Sequence, residues 1–277
     1  SDLYLLFNYG TSTQSGAGIP MATDIAFALG ILSLLGNKVP TSLKVFLTAL
    51  AVIDDLGAIL VIALFYTKTL IWTNLLISLG IFAFLLVLNR LIVKNLILYL
   101  SGGVVMWYFM LNSGVHATIT GVLLAFAIPF GDGSKKSTSI VLQQFLHKPV
   151  AFIILPLFAL ANTAIIFSSD MGAILTQHYS IGIALGLIVG KPIGIFTLSL
   201  LAVKLGICKL PRDLQWKSIF AVGFLGGIGF TMSIFVTLLA FEDVTVINNA
   251  KFIILLSSLI AGIIGFVSLK YTLKRKP

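Results

Sequence analysis

The sequence predicts an all-α polytopic membrane protein of about nine transmembrane helices, two of them interrupted and placed as inverted repeats. Three observations predict it. Apolar residues make up 58% of the 277 residues and charged residues 10%, whereas soluble domains run at roughly 45–50% and about 25%. Mean hydropathy is +1.10. The apolar residues gather in runs such as 174–201 that are apolar on every face, unlike the alternating strands of membrane barrels. This composition excludes a soluble fold, and with it a nucleic-acid partner for the net charge of +9. The single cysteine, Cys208, excludes an intramolecular disulfide and a cysteine-based metal site.

A hydrocarbon core of about 30 Å takes roughly 20 helical residues. Runs of that kind fall at 17–36, 43–66, 70–89, 95–111, 114–130, 149–168, 181–203, 218–241 and 248–269. The fourth and fifth are short and would also fit one re-entrant pair. Lysine and arginine set the orientation. Of the eighteen, Lys68 and Lys251 fall on one side, Lys191 falls inside a span, and all the others, from Lys38 to the Lys274–Lys276 tail, fall on the opposite side. That split predicts a cytoplasmic C-terminus and places Ser1 outside. Leu3–Phe7 reads as the end of an apolar segment, so an odd number of further spans is expected upstream.

Gly18 and Pro20 at the start of the first run, with Gly16 immediately before it, stand just ahead of Thr23 and Asp24. Those residues predict a broken helix, which membranes tolerate where it lines a cavity. Asp24 is a supporting ion ligand there or a cap at the break, and Thr23 adds a hydroxyl and a carbonyl. The second run holds Asp54 and Asp55 near its middle. A carboxylate at the bilayer centre costs about 2.5–3.5 kcal/mol, so by default it marks an ion or proton path. Adjacent helical residues point about 100° apart, so the two carboxylates cannot face each other as a protease dyad does. They can offer oxygens to one small cation from one side of a cavity. Two close carboxylates do not both ionise easily and titrate as one coupled unit. A site holding either a hard cation or a proton is the chemical requirement for exchange.

His116 opens the fifth run and is either a hydrogen-bonded span end or a pH-responsive group. Residues 131–148, with Gly131, Asp132 and Gly133, read as a solvated cytoplasmic linker between a first half (1–130) and a second half (149–277). In the seventh run Lys191 is too central to snorkel easily; it serves as a countercharge to one of the intramembrane acids or as a proton carrier. The eighth run reads Gly223 to Ile234 with Gly226, Gly227 and Gly229 before Thr231 and Ser233. Two glycine-interrupted segments in corresponding halves point to inverted repeats around a midplane site, although small residues also serve close helix packing. There is no P-loop and no Ser/His/Asp constellation.

Five stretches, Ala22–Gly30, Ile53–Ala58, Gly114–Thr118, Gly190–Pro192 and Gly229–Ile234, together resemble the NhaA-type sodium/proton antiporters, a family that the description of inverted-repeat transporters already includes. The resemblance runs the length of the chain. It implies twelve helices with both termini cytoplasmic, of which this sequence supplies the last nine. It implies that Asp54 and Asp55 bind the transported metal cation, sodium or lithium, and the proton, with Lys191 as charged neighbour. It puts Thr23 and Asp24 at the crossing of the two broken helices and associates His116 with pH response. Gln143 stands near where some members carry an acidic pH-responsive residue. The resemblance further implies a bacterial inner-membrane transporter, not an enzyme, with no cofactor, serving pH homeostasis by alternating access. It implies a homodimer, weakened by the absence of a hairpin used for dimer contact. The other readings are a sodium-coupled organic solute symporter of related fold, an intramembrane aspartyl protease, or an inactive truncated fragment.

Overall fold

The structure is a computed structural model that describes residues 2–65, 70–131, 137–164 and 171–273. Lys68, Asp132, Gly133, Lys135, Lys136 and Lys274–Lys276, which entered the sequence reading, lie outside the described residues. So do the ends of the runs 43–66 and 149–168. The described secondary structure is helical, and the chain divides into two compact units, 1–58 with 161–277, and 59–160. This grouping cuts across the sequence halves 1–130 and 149–277.

The first unit opens with α1 (Asp2–Asn8) and a 3-10 helix over Gln14–Met21 that contains Pro20. The chain then extends, with Ala22 at φ −71° and ψ 145°, before α2 (Ile25–Ser33). α2 is capped at Leu34, and the chain turns two residues later at Gly36, whose φ of +62° suits glycine. After a 3-10 turn at Gly36–Lys38, α3 (Thr41–Phe65) runs for 25 residues and leaves this unit at Ala58. The unit resumes near the end of α8 (Leu155–Thr163), then α9 (Met171–Thr176), α10 (His178–Leu185) and α11 (Lys191–Lys204). It closes with α12 (Trp216–Gly226), α13 (Phe230–Ala240) and α14 (Val244–Leu273). Its core joins Leu32, Leu43, Leu47, Val222, Leu225 and Leu269.

The second unit holds α4 (Trp72–Arg90), α5 (Leu96–Leu111), α6 (Thr118–Ala127) and α7 (Thr138–Pro149). Leu85, Tyr99, Ala127 and Ile128 form its core. Ser78 Oγ donates to the Met106 carbonyl at 3.1 Å, and Asn89 Nδ2 to that of Ala127 at 2.9 Å. A hydroxyl and an amide thereby tie the helices where apolar contact alone gives little drive in lipid.

Among the described residues six helices are long and apolar enough to cross a membrane, and the bent pair α12–α13 makes seven. The runs 95–111 and 114–130 fold as α5 and α6, of 16 and 10 residues, which at about 1.5 Å per residue reach roughly 24 and 15 Å. Every one of the nine runs therefore has a helical counterpart, though two are short. The expected linker 131–148 is instead helical from Thr138 onward. Ile140, Val141, Leu142, Phe145 and Leu146 supply helical apolar spacing there that the polar residues before them obscure.

Both expected breaks are present. The first is the extended stretch Ala22–Asp24; the second, at Gly227–Gly229, bends α12 against α13 by 48°. Two π-helical turns, Val150–Ile154 and Gly186–Gly190, accompany them. Each ends two residues before a proline, Pro156 and Pro192. A proline ring crowds the carbonyl four residues back and offers it no N–H, and a wider turn relieves that conflict.

Candidate ion site at the crossing of two broken helices

The two breaks meet. The Asp24 backbone N–H donates to the Ile228 carbonyl at 2.6 Å, and the Ser233 hydroxyl to the Ile19 carbonyl at 2.8 Å. Phe27 and Phe230 stack edge to face across the crossing, with centroids 4.4 Å apart. Phe230 sits at φ +21°, and its N–H donates to Ser258 Oγ of α14 at 3.1 Å.

A broken helix exposes a positive N-terminus and a negative C-terminus at the break. One carboxylate serves both N-termini here. Asp24, 3% exposed, accepts from the Phe27 N–H of α2 at 3.1 Å through Oδ1. Its Oδ2 accepts from the Thr231 N–H of α13 at 3.2 Å and from the Thr231 hydroxyl. Asp24 therefore caps both half-helices, and both of its oxygens are bonded to the break itself.

The C-terminal ends face a cation and a hydroxyl. Lys191 Nζ donates to the Met21 carbonyl, at the end of the 3-10 helix, at 2.6 Å. It also donates to Thr23 Oγ1 at 2.5 Å and pairs with Asp54 Oδ2 at 3.0 Å. An ammonium has three N–H donors, and these three acceptors use them all. Thr23 Oγ1 lies 2.8 Å from Asp54 Oδ2 and 2.9 Å from the Gly226 carbonyl at the end of α12. Its single proton serves one of the two at a time.

Glycines allow Lys191 to arrive there. A Cβ at Gly223 would lie 2.8 Å from Pro192 Cα, and one at Gly227 would run into the Leu187 carbonyl oxygen. α12 thus packs backbone against backbone on the π turn that precedes Lys191. The resulting cavity, of about 530 Å³, is lined among others by Asp2, Met21, Asp54, Gly190, Lys191 and Ser199.

The structure therefore brings Thr23, Asp54 and Lys191 into direct contact. Asp24 adjoins them through Thr23, but its side chain is turned to the helix starts. Among the described residues Asp55 does not line that cavity, and its buried Oδ1 has no hydrogen-bond partner. A buried carboxylate oxygen left in that condition is a vacant acceptor. His116 belongs to the other unit, where its carbonyl accepts the Ile119 N–H at the start of α6. Sequence reasoning passed over Thr231 as a partner of Asp24 and the carbonyls of Met21, Gly226 and Ile228. The capping preference of aspartate was the available signal for the first; nothing in a side-chain pattern marks the carbonyls.

Comparison with known proteins follows the same lines. The family model described as Na+/H+ antiporter 1 matches residues 1–269. The chain is 79% identical over 272 residues to the Na(+)/H(+) antiporter NhaA of Flavobacterium psychrophilum, covering 98% of this chain and 71% of that protein. It is 65% identical over 270 residues to Na(+)/H(+) antiporter NhaA 1 of Flavobacterium johnsoniae, covering 98% and 71%. Against the NhaA of Cytophaga hutchinsonii it is 64% identical over 272 residues, covering 98% and 70%.

Proposed function

The chain belongs to the Na+/H+ antiporter 1 family and is a sodium/proton antiporter, and we propose that its exchange runs through Asp54 and Asp55. The observation that carries this reading is the place of Lys191. Its ammonium rests among a carboxylate, a hydroxyl and a main-chain carbonyl. Those are the oxygen types that a hard monovalent cation takes as ligands. Asp55 adds a vacant carboxylate oxygen on the same helix.

In this mechanism sodium and protons compete for the pair. Sodium entering the cavity displaces Lys191 from Asp54 and gathers Asp54, Asp55 and the Thr23 hydroxyl. Proton binding to Asp55 expels it, and Lys191 returns to the ionised Asp54. Charge at the midplane thus stays nearly balanced in both states, which avoids leaving an unpaired ion in a low-dielectric site. Asp24 holds the two half-helices together throughout. Movement of the broken-helix bundle alternates access. The same site would accept lithium, which shares sodium's charge and preference for oxygen. We further place the protein in the bacterial inner membrane with a cytoplasmic C-terminus, following the bias of lysine and arginine. A homodimer and a pH-responsive His116 remain parts of this proposal that the crossing geometry does not use. So does the pairing of 1–130 and 149–277 as inverted repeats.

The test is sodium-driven proton movement in everted membrane vesicles. Asp54→Asn and Asp55→Asn should each reduce it to background at unchanged levels of inserted protein. Normal exchange in either variant overturns the assignment.

A further inference from the structure

The start of α13 is bonded in two directions. The first N–H groups of a helix have no partner inside it. Here the Thr231 N–H donates to Asp24 Oδ2 of the first break at 3.2 Å, and the Phe230 N–H donates to Ser258 Oγ of α14 at 3.1 Å. Phe230 holds φ +21°, which a residue with a side chain rarely adopts and keeps only where its surroundings impose it. Ser258 is 6% exposed. Four and seven residues further along the same face of α14, Gly262 and Gly265 continue the contact. A Cβ at Gly262 would lie 3.6 Å from Ile228 Cδ1, and one at Gly265 would lie 2.7 Å from Leu225 Cδ2. α14 runs unbroken from Val244 to Leu273, so it backs the end of α12, the break itself and the start of α13 in turn.

The same stretch, 225–231, carries contacts to the first break. The Ile228 carbonyl accepts the Asp24 N–H at 2.6 Å, and the Gly226 carbonyl accepts from the Thr23 hydroxyl at 2.9 Å. The second contact bears on sodium. A hydroxyl oxygen that ligates a cation must turn its one proton elsewhere. Thr23 has two acceptors in reach, Asp54 Oδ2 at 2.8 Å and the Gly226 carbonyl. With sodium between Thr23 Oγ1 and Asp54, a proton aimed at Asp54 would oppose the cation. The Gly226 carbonyl is then the acceptor that leaves the Thr23 lone pairs to sodium. Its place depends on how α12 bends into α13, by 48° here, and Ser258 holds the far side of that bend.

We propose that Ser258 is a positioning residue of the ion site, acting through the Phe230 N–H to keep the Gly226 carbonyl where it accepts the Thr23 proton in the sodium-bound state. This rests on the reading that exchange runs at Asp54. Ser258 itself touches no ion, since no residue of α14 is among the described residues lining the cavity of Asp54 and Lys191. Its loss weakens sodium binding and leaves proton binding at the carboxylates in place. The alignment is worth at most one neutral hydrogen bond, about fivefold in sodium affinity.

The test is the sodium dependence of proton movement in everted vesicles at one fixed pH, normalised to inserted protein. Ser258→Ala should raise half-saturating sodium about threefold, most of one hydrogen bond, and leave the maximum rate within about twofold. Ser258→Thr, which keeps the hydroxyl, should stay near the unsubstituted value, and Ser258→Cys, a weaker acceptor, should fall between. Unchanged half-saturation in Ser258→Ala overturns the proposal, as does equal behaviour of the alanine and threonine variants. Where alanine fails to insert, equal half-saturation in Ser258→Cys and Ser258→Thr overturns it instead. A second arm separates positioning from general loosening. Without the Thr23 hydroxyl the Gly226 carbonyl has no proton to align, so Ser258→Ala should add little in a Thr23→Val background. A full further rise in the double variant overturns the proposal. Retained exchange in Asp54→Asn strikes the site itself. Normal half-saturating sodium in Ser258→Ala beside an inactive Asp54→Asn strikes positioning alone.

Discussion

Asp24 and Asp54 approach the crossing of the broken helices from opposite sides of Thr23, and their surroundings differ in kind. Asp24 is buried and bonded to main-chain N–H groups of two helix starts. Those partners are part of the backbone and cannot leave without unmaking the break. Asp54 is a quarter exposed, lines a cavity, and is bonded to the ends of two side chains, Thr23 and Lys191. Those partners can step aside for an ion. On the proposed reading, what each carboxylate's oxygens face, rather than its depth, makes one structural and the other exchanging. Asp24 compensates helix dipoles; Asp54 is compensated by a side chain that a cation can replace.

The largest effect expected from this contrast is on stability. Asp24→Ala leaves the Phe27 and Thr231 N–H groups of two helices without an acceptor. Losing a cap typically costs about 0.5–2 kcal/mol and each stranded buried donor about 1–3 kcal/mol, so a loss near 3 kcal/mol is expected. Thermal unfolding in detergent should show a melting temperature lower by several degrees, with Asp24→Asn, which keeps one acceptor oxygen, about halfway back. An unshifted Asp24→Ala protein would break the comparison.

A second substitution probes what brings Lys191 to Asp54. Gly227→Ala would push a methyl group into the Leu187 carbonyl. Backbone cannot rotate away as a side chain can, and overpacking of this kind costs typically 1–3 kcal/mol. The same unfolding measurement should show a loss of about 2 kcal/mol. Exchange should slow as well, because the turn carrying Lys191 is displaced. Full stability with normal exchange would mean that the close approach of α12 is unimportant.

The smallest effect sharpens the Asp54 side. Thr23→Val removes a hydroxyl that contacts Asp54, Lys191 and the Gly226 carbonyl, worth about 1 kcal/mol net. Half-saturating sodium should rise about fivefold, while Thr23→Ser, which keeps the hydroxyl, should change little. Equal behaviour of the two variants would remove the hydroxyl from the site.

Much of this arrangement was legible in advance, and unevenly. The breaks at Ala22–Asp24 and Gly227–Gly229 follow from glycine and proline, whose effects on the backbone are local. The intramembrane acids were conspicuous because charge is rare in apolar runs. The helix at Thr138–Pro149 was missed because its apolar spacing begins inside a polar stretch. The π turns ahead of Pro156 and Pro192 escaped notice because a proline alone does not say whether a helix kinks, ends or widens. Ser258 was overlooked because its partner is a main-chain N–H, which no side-chain pattern marks.

By itself the sequence determined that the chain is helical and membrane-spanning, where two helices break, and which side chains carry charge within the bilayer. Those are properties of composition and short-range backbone preference. Only the tertiary structure decided that Asp24 serves two helix starts, that Lys191 pairs with Asp54 through a shared contact with Thr23, and that Ser258 of α14 meets the second break. Thr23 and Lys191 stand 168 positions apart, as Asp24 and Thr231 stand 207 apart. At such separations the partner of a charge is set by which helices pack closely, and small residues such as Gly223 and Gly227 permit that approach without naming the side chain it delivers.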